Sequence, residues 1–476
     1  MSSTIPDADM KLSYDCLKCV IQKFEIHFRF RLAERLPKIS LAEKAAPLHI
    51  SELSITREGF ELNGTEYRLG VIRHAREGPT PDRIKSENKR GGCPRDIDRF
   101  GFKKPFLPEP VNFNGMIIQG HDPERELNDN PELVEARVVN AKNRLTSLER
   151  EKRELENSQD DLVVANPENV LDRRGRRRNP LVSRESRLRR INENIRDTKT
   201  RLEIDELNMR SYQCKRDNLP SPFNMFIQLT KTSSDGTVHI ERFDYDKSLK
   251  EAWEYLIRKL FGNRQLVTKI KLLSFFASRG EELVVGLPDD IKFDVQELRA
   301  SCNLPEILQR VEAMLEHPDR PFTRLELDGL LLEDTQNPKI RDADVLVLHN
   351  NFIVDYVALC SELPNKKIVM TTRLEMHPGQ YAMIVENLIN TKGTLGTCYE
   401  FTKIEQGEAR FALGFIAGRF ENAVVGERLI TIPLPNQLQL DISCTPSLNP
   451  FQQFYQFYPG FLFYTIRMEV VQNLIN

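Results

Sequence analysis

The sequence lacks most of the marks of secreted, membrane and catalytic proteins. Eight cysteines lie scattered through 476 residues, at 16, 19, 93, 214, 302, 360, 398 and 444. That is too sparse for a disulfide scaffold and fits a reducing compartment. No stretch reaches the roughly 18 consecutive apolar residues that span a bilayer. The first residues, Met1 to Asp7, carry no basic start, and no apolar run precedes Lys11, so a signal peptide is not expected. The expectation is a soluble chain of the cytoplasm and/or nucleus with no membrane association. An excess of charge is also missing: 68 Lys plus Arg stand against 70 Asp plus Glu, a formal net charge of -2. Attraction of the whole chain to nucleic acid or an anionic membrane is thereby excluded as the main driving force.

Motifs that announce chemistry are absent as well. The sequence contains no GxxxxGK[ST] phosphate loop, no strand-anchored GxGxxG, no GxSxG elbow and no HExxH. Its eight histidines show no metal-ligand spacing. Cys16-x-x-Cys19 stands without a second pair, and a tetrahedral zinc needs four ligands. On an amphipathic helix, those two cysteines read as small apolar core residues. No enzyme, cofactor or metal centre is expected.

What is present is an organisation. Residues 12–36 carry Leu12, Leu17, Val20, Ile21 and Phe24, then Phe28, Leu32 and Leu36, near helical spacing. After Pro37 the pattern turns to strand, with a hairpin signal at Asn63-Gly64, whose residues suit a type I′ turn. A second hairpin is predicted around Asp235-Gly236, with Met225, Ile227 and Leu229 before it and Val238, Ile240 and Phe243 after it. The Gly-, Pro- and charge-rich stretch between 74 and 115 reads as a long irregular loop, and Gly91-Gly92-Cys93-Pro94 within it as a turn.

Between the hairpins lie two heptad seams: Val138, Ala141, Leu145, Leu148 and Leu155, then Leu188, Ile191, Ile195 and Leu202, interrupted by Lys152 and Thr198. Residues 131–161 hold 6 basic and 8 acidic side chains, and residues 173–201 hold 12 basic and 3 acidic. This predicts an antiparallel helical hairpin, an acidic arm lying on a basic one. At its tip, Arg173, Arg174, Arg176, Arg177 and Arg178 form a basic patch. Clustered guanidinium groups neutralise phosphates, so a nucleic-acid or nuclear-localisation role stands beside the plainer reading of a solvated tip.

Beyond Pro220 the chain reads as α/β. Ser248 to Phe261 is an amphipathic helix with Trp253, the only tryptophan, on its core face. Apolar triplets follow at Ile270-x-Leu272, Leu298-x-Ala300, Leu325-x-Leu327, Leu346-x-Leu348 and Ile368-x-Met370, at offsets of 28, 27, 21 and 22 residues. Leucine-rich repeats run at about 20–29 residues. Asn350 falls near the place where such repeats satisfy turn backbone groups. Helices are predicted over 304–315 and 381–388, and strands over 429–432, 438–442 and 461–470. Eight aromatics crowd residues 451–464; among them Phe454, Tyr455, Phe457 and Tyr458 are candidates for target binding or for edge packing.

Several segments together resemble the nematode-type F-box C protein family. They include Leu12-Ser13-Tyr14 with Leu17-Lys18-Cys19-Val20, Pro47-Leu48-His49-Ile50 and Tyr67-Arg68-Leu69-Gly70-Val71. Further on come Arg216-Asp217-Asn218-Leu219-Pro220-Ser221-Pro222-Phe223, Phe226-Ile227-Gln228-Leu229 and Lys259-Leu260-Phe261-Gly262. The last are Pro364-Asn365-Lys366-Lys367, Gly396-Thr397-Cys398-Tyr399 and Val424-Val425-Gly426-Glu427-Arg428. The resemblance implies a substrate receptor of a cullin-type ubiquitin ligase. Leu12, Leu17, Val20, Ile21 and Phe24 would dock on a Skp1-like adaptor, and the body would hold an unknown target. The usual Leu-Pro opening of an F-box is Leu12-Ser13 here.

The expected architecture is α+β or α/β. It comprises an F-box-like helical segment (1–46), a β hairpin and long loop (47–130), an inserted coiled-coil hairpin (131–217) and a leucine-rich-repeat-like region ending in β (218–476). Two functions stand: a non-enzymatic protein-interaction molecule, or an RNA- or chromatin-associated protein acting through the Arg-rich hairpin.

Overall fold

Ser13 opens the first helix: its Oγ accepts a hydrogen bond from the Cys16 N–H at 3.2 Å, satisfying one of the unpaired donors of a helix start. The computed structural model describes residues 13–56, 59–104, 116–118, 131–157, 162–164, 181–276, 283–285, 288, 290–301, 304–349, 355–371, 376–391, 393–446 and 463–473. The helices are α1 (Tyr14–Gln22), α2 (Ile26–Arg35), α3 (Ser40–Ala45), α4 (Asp82–Lys89), α5 (Pro131–Asn157) and α6 (Arg184–Arg216). They continue with α7 (Leu249–Phe261), α8 (Leu304–Glu312), α9 (Pro338–Arg341), α10 (Tyr356–Glu362), α11 (Pro378–Thr391) and α12 (Gln406–Arg419). The main strands are β1 (His49–Thr56), β2 (Gly59–Leu62), β3 (Thr65–Ala75), β4 (Phe223–Thr232), β5 (Val238–Asp244), β6 (Thr268–Phe276), β7 (Phe293–Ala300) and β8 (Arg324–Asp328). Then come β9 (Val345–His349), β10 (Lys367–Thr371), β11 (Cys398–Glu405), β12 (Val424–Val425), β13 (Leu429–Leu434), β14 (Leu438–Pro446) and β15 (Phe463–Gln472). The fold is mixed α+β built on a large mixed sheet.

The chain divides into two units. One holds the described residues of Met1–Glu66, Asn112–Gly120 and Glu254–Asn476; the other holds those of Tyr67–Val111 and His121–Trp253. In the first unit the strand order is β12-β13-β14-β15-β11-β10-β9-β8-β7-β6-β1-β2. From β1 to β11 every neighbour is parallel; β2 and the β15-β14-β13-β12 extension are antiparallel. Strands β6 to β11 follow one another in chain order.

The register aligns four of the five apolar triplets. Leu298, Leu325, Leu346, Ile368 and Tyr399 lie abreast, and Ala300, Leu327, Leu348, Met370 and Phe401 form a second row. All ten are buried. Helices cover these rows: the Tyr399 hydroxyl donates to the Cys360 carbonyl of α10 at 3.2 Å, and the Tyr381 ring of α11 meets Phe401 edge-on at 5.2 Å. The first triplet is corrected. Leu273 and Phe275, not Ile270 and Leu272, stand opposite Leu298 and Ala300. β6 carries apolar residues in both parities, so its sequence alone did not fix its register.

The Asn63-Gly64 turn has φ of 46° and 81°, as type I′ requires. Asn63 Oδ1 also accepts the Ser51 and Glu52 N–H groups at 2.9 and 3.0 Å.

In the second unit the strand order is β3-β4-β5. The second hairpin forms as expected, with Ile227 opposite Phe243. Helices α5 and α6 pair antiparallel, and ion pairs join the acidic arm to the basic one: Arg187–Glu151 at 2.6 Å and Lys199–Glu149 at 3.4 Å. Thr198 is buried in the pairing rather than breaking it. The stretch from 76 to 104 is not simply loop. It contains α4, anchored by buried Ile84 and by Asn88, whose Nδ2 donates to the Arg73 carbonyl at 2.7 Å. One buried apolar residue in a charged octet leaves no periodicity to detect. The Gly91-Gly92 turn is real and tight: a Cβ on Gly70 would meet the Gly91 oxygen at 2.3 Å. Trp253 is half-buried rather than central.

Candidate functional site

The first candidate surface is built by α1 to α3. Glu25 caps α2, its carboxylate accepting the Phe28 N–H at 2.9 Å, and Pro37 starts the turn into α3. Ile21 packs on Ala42 and Ala46 with Leu17 half-buried beside them. This splits the sequence-selected residues. Ile21, only 1% exposed, and Leu17 hold α1 to α3, whereas Val20 (39% exposed) and Phe24 (37%) face outward. Tyr14, Phe28, Leu36 and Leu41 are exposed as well, and the Phe24 and Phe28 rings meet edge-on at 5.0 Å. The Tyr14 hydroxyl donates to the Leu41 carbonyl at 3.4 Å. Cys16 and Cys19 are both exposed, which corrects their reading as core residues: the buried face of α1 is narrower than its apolar pattern.

A charged cluster pins these helices to the rest of their unit. Arg29 Nη2 and Arg264 Nη2 donate to Glu43 Oε1 at 3.1 and 2.9 Å, with all three side chains almost fully enclosed. Arg29 also donates to the Pro47 carbonyl at 2.8 Å. Burial drives both guanidinium groups below their ordinary value, and Glu43 opposes the shift. Next to them Lys44 Nζ donates to the Lys259 and Leu260 carbonyls at the end of α7, at 2.7 and 3.1 Å. Burial, then the Arg264 charge, push the Lys44 amine down to about 8.

The second surface is the face of the parallel strands opposite their helix-covered rows. Glu326 on β8 is sunken, with a side chain 5% exposed; Arg324, at 40%, reaches it at 2.6 Å. Arg299 on β7 also donates to Glu326, and His349 Nε2 on β9 lies 3.6 Å away. Burial alone would raise the Glu326 carboxyl, but the neighbouring His349 and the hydrogen bonds from Arg299 and Arg324 outweigh it and hold the group well below the usual range. Glu400 on β11 is flanked in the same manner by Lys367 at 3.3 Å and Arg467 at 3.9 Å. Glu297 and Asp328 stand abreast of Arg324 and His349 in the register, so the face mixes both signs.

Asn365 is a structural residue that the sequence reading did not single out for a role. It is buried, and its Nδ2 donates to the Ile340, Arg341 and Ala343 carbonyls at 2.8, 3.2 and 2.9 Å. It does for one turn what was expected of Asn350, which lies outside the described residues. Leu12, the basic patch Arg173, Arg174, Arg176, Arg177 and Arg178, and the aromatics Phe454, Tyr455, Phe457 and Tyr458 also lie outside them.

Among the described residues no group of three or more His, Cys, Asp or Glu is placed to hold a metal ion. Among them, too, no helix is long and apolar enough to cross a membrane. A family model described as "Domain of unknown function (DUF3557)" matches residues 248–405, the stretch from α7 to β11. No curated protein and no solved structure matches the chain.

Proposed function

We propose that the chain is a non-enzymatic protein-interaction molecule of the cytoplasm and/or nucleus, acting as substrate receptor of a cullin-type ubiquitin ligase. In this reading α1 to α3 are an F-box-like docking module for a Skp1-like adaptor. The strands β6 to β11 are a short leucine-rich-repeat-like array whose polar face receives the target. One observation carries the reading: Val20, Phe24 and Phe28 are exposed while the inner side of the same helices is fixed by Ile21 and Glu43. Apolar side chains held outward on a braced scaffold suit a partner surface. The resemblance to F-box C proteins supplies the partner's class.

The test is co-purification of the chain with a purified Skp1-like adaptor, beside a Val20→Asp/Phe24→Asp variant. Binding by the first and its loss in the still-folded second is the expected outcome. Absence of binding by the folded parent chain defeats the reading.

A further inference from the structure

We infer that Cys16 and Cys19 are a redox-active dithiol on the docking helix, closing to a reversible intrahelical disulfide. Both thiols are exposed, whereas Cys93, Cys360, Cys398 and Cys444 are buried. They stand three residues apart within α1 (Tyr14–Gln22), so their side chains share one face, one turn apart. An ideal helix sets such Cα atoms about 5 Å apart, inside the roughly 4.4–6.8 Å range that a disulfide accepts. The Cβ atoms start about 5–6 Å apart and must approach to about 4 Å. Closing that gap requires the first turn of α1 to open around Cys16, because a 3₁₀ rise of about 2.0 Å per residue would set the eclipsed side chains about 6 Å apart. Cys16 lies in the first turn, where its N–H bonds to the Ser13 side chain rather than to a helical carbonyl. That end of the helix can open without dismantling the rest.

The chemistry balances with a small-molecule disulfide such as oxidised glutathione. One cysteine thiolate attacks a sulfur of the oxidant, forming a mixed disulfide and releasing one glutathione thiolate. The second cysteine thiolate attacks the mixed disulfide at the cysteine sulfur, forming the Cys16–Cys19 bond and releasing the second glutathione. The two cysteine protons pass to solvent or to the departing thiolates, and the oxidant takes up two electrons. A bond that is exposed and slightly strained is readily reduced again, which makes this pair a reporter of the thiol pool rather than a structural link. Val20 follows Cys19 directly and lies one turn beyond Cys16, so closure reshapes the edge assigned above to adaptor docking. That consequence alone rests on the ligase reading.

The experiment treats the full chain with oxidised glutathione and reads intact mass before and after dithiothreitol, followed by peptide mapping. The expected product is lighter by two hydrogens, has a Cys16–Cys19 crosslinked peptide and returns to the starting mass on reduction. Cys19→Ser is expected to stop at a glutathione adduct on Cys16. A parent chain that keeps stable adducts on both cysteines, that links to a second copy or that does not react overturns the inference. Adaptor binding is then measured for the reduced and oxidised chains. Weaker binding after oxidation is the expected result, and equal, finite affinities overturn the regulatory role. Absence of adaptor binding in both forms, with the crosslink present, counts against the ligase reading and leaves the dithiol standing.

Discussion

Arg29 and Glu43 form an enclosed ion pair, Nη2 to Oε1 at 3.1 Å, that joins α2 to α3 and is completed by Arg264 from the chain beyond α7. Residues 235 positions apart in sequence therefore share one carboxylate. Removing that carboxylate leaves two buried guanidinium groups facing each other. Glu43→Gln is expected to cost about 3–5 kcal/mol, the scale for a buried pair that loses one partner. Urea unfolding followed by circular dichroism measures it, and a loss under about 1 kcal/mol would show that water reaches the cluster.

Lys44 gives this region a pH dependence of definite sign. Its folded value of about 8 lies below its ordinary 10.5, so between those values the unfolded chain binds more protons than the folded one. This group's contribution to stability therefore increases as pH rises from about 8 towards 10.5. Relative to Lys44→Gln, the parent chain should gain stability between about pH 7 and pH 9.5. Paired urea midpoints check it; a gap that is constant or shrinks rejects the assignment.

The two sides of α1 should respond very differently to the same substitution. Ile21→Asp places a carboxylate among Ala42, Ala46 and Leu17 and is expected to cost about 3 kcal/mol or more. Val20→Asp, on the exposed side, should change stability by under about 1 kcal/mol. Thermal melts of the two variants decide it, and equal losses would mean that Val20 is covered.

Glu326 sets an acid-side limit. Its folded carboxyl is held below the ordinary 4.5, so its contribution is complete above that value and is lost as pH falls further. The stability difference between the parent chain and Glu326→Gln should therefore be flat near neutrality and narrow below about pH 4.5. Stability curves across pH 3 to 7 would contradict this by showing the gap widen in acid.

Asn365→Ala removes the donor shared by three backbone carbonyls. Leaving buried carbonyls unpaired costs about 1–3 kcal/mol. The matching observation in amide exchange is faster opening at the end of α9; unchanged exchange and stability would show that water replaces the side chain.

Much of the fold was legible because periodicity and turn chemistry are local. Asn63-Gly64 and Asp235-Gly236 named their hairpins, and Leu17, Ile21, Phe28 and Leu32 marked the first two helices, with Phe24 in the turn between them. The charge asymmetry of residues 131–161 and 173–201 named the antiparallel pair. Four apolar triplets were legible as a repeated strand, and the register joined them. Helix α4 was not legible, because Ile84 alone buries, and α12 was not, because its buried face is Ala409, Ala412 and Ile416, too small and sparse for a clear stripe. The exposed dithiol was misread: apolar spacing tells which face of a helix is apolar, not how far its neighbours cover it.

By itself the sequence determined most of the elements, their order and the absence of recognisable catalytic motifs, since those follow from spacing, turn residues and composition. Only the tertiary structure decided that Ile21 faces in while Val20 and Phe24 face out, that Leu273 rather than Leu272 joins the buried row, and that Glu43 is held by Arg29 and Arg264 from two separate segments of its unit. Each of these depends on which distant surfaces meet. Burial and electrostatic pairing are sums over neighbours in space, and sequence spacing fixes only the neighbours along the chain.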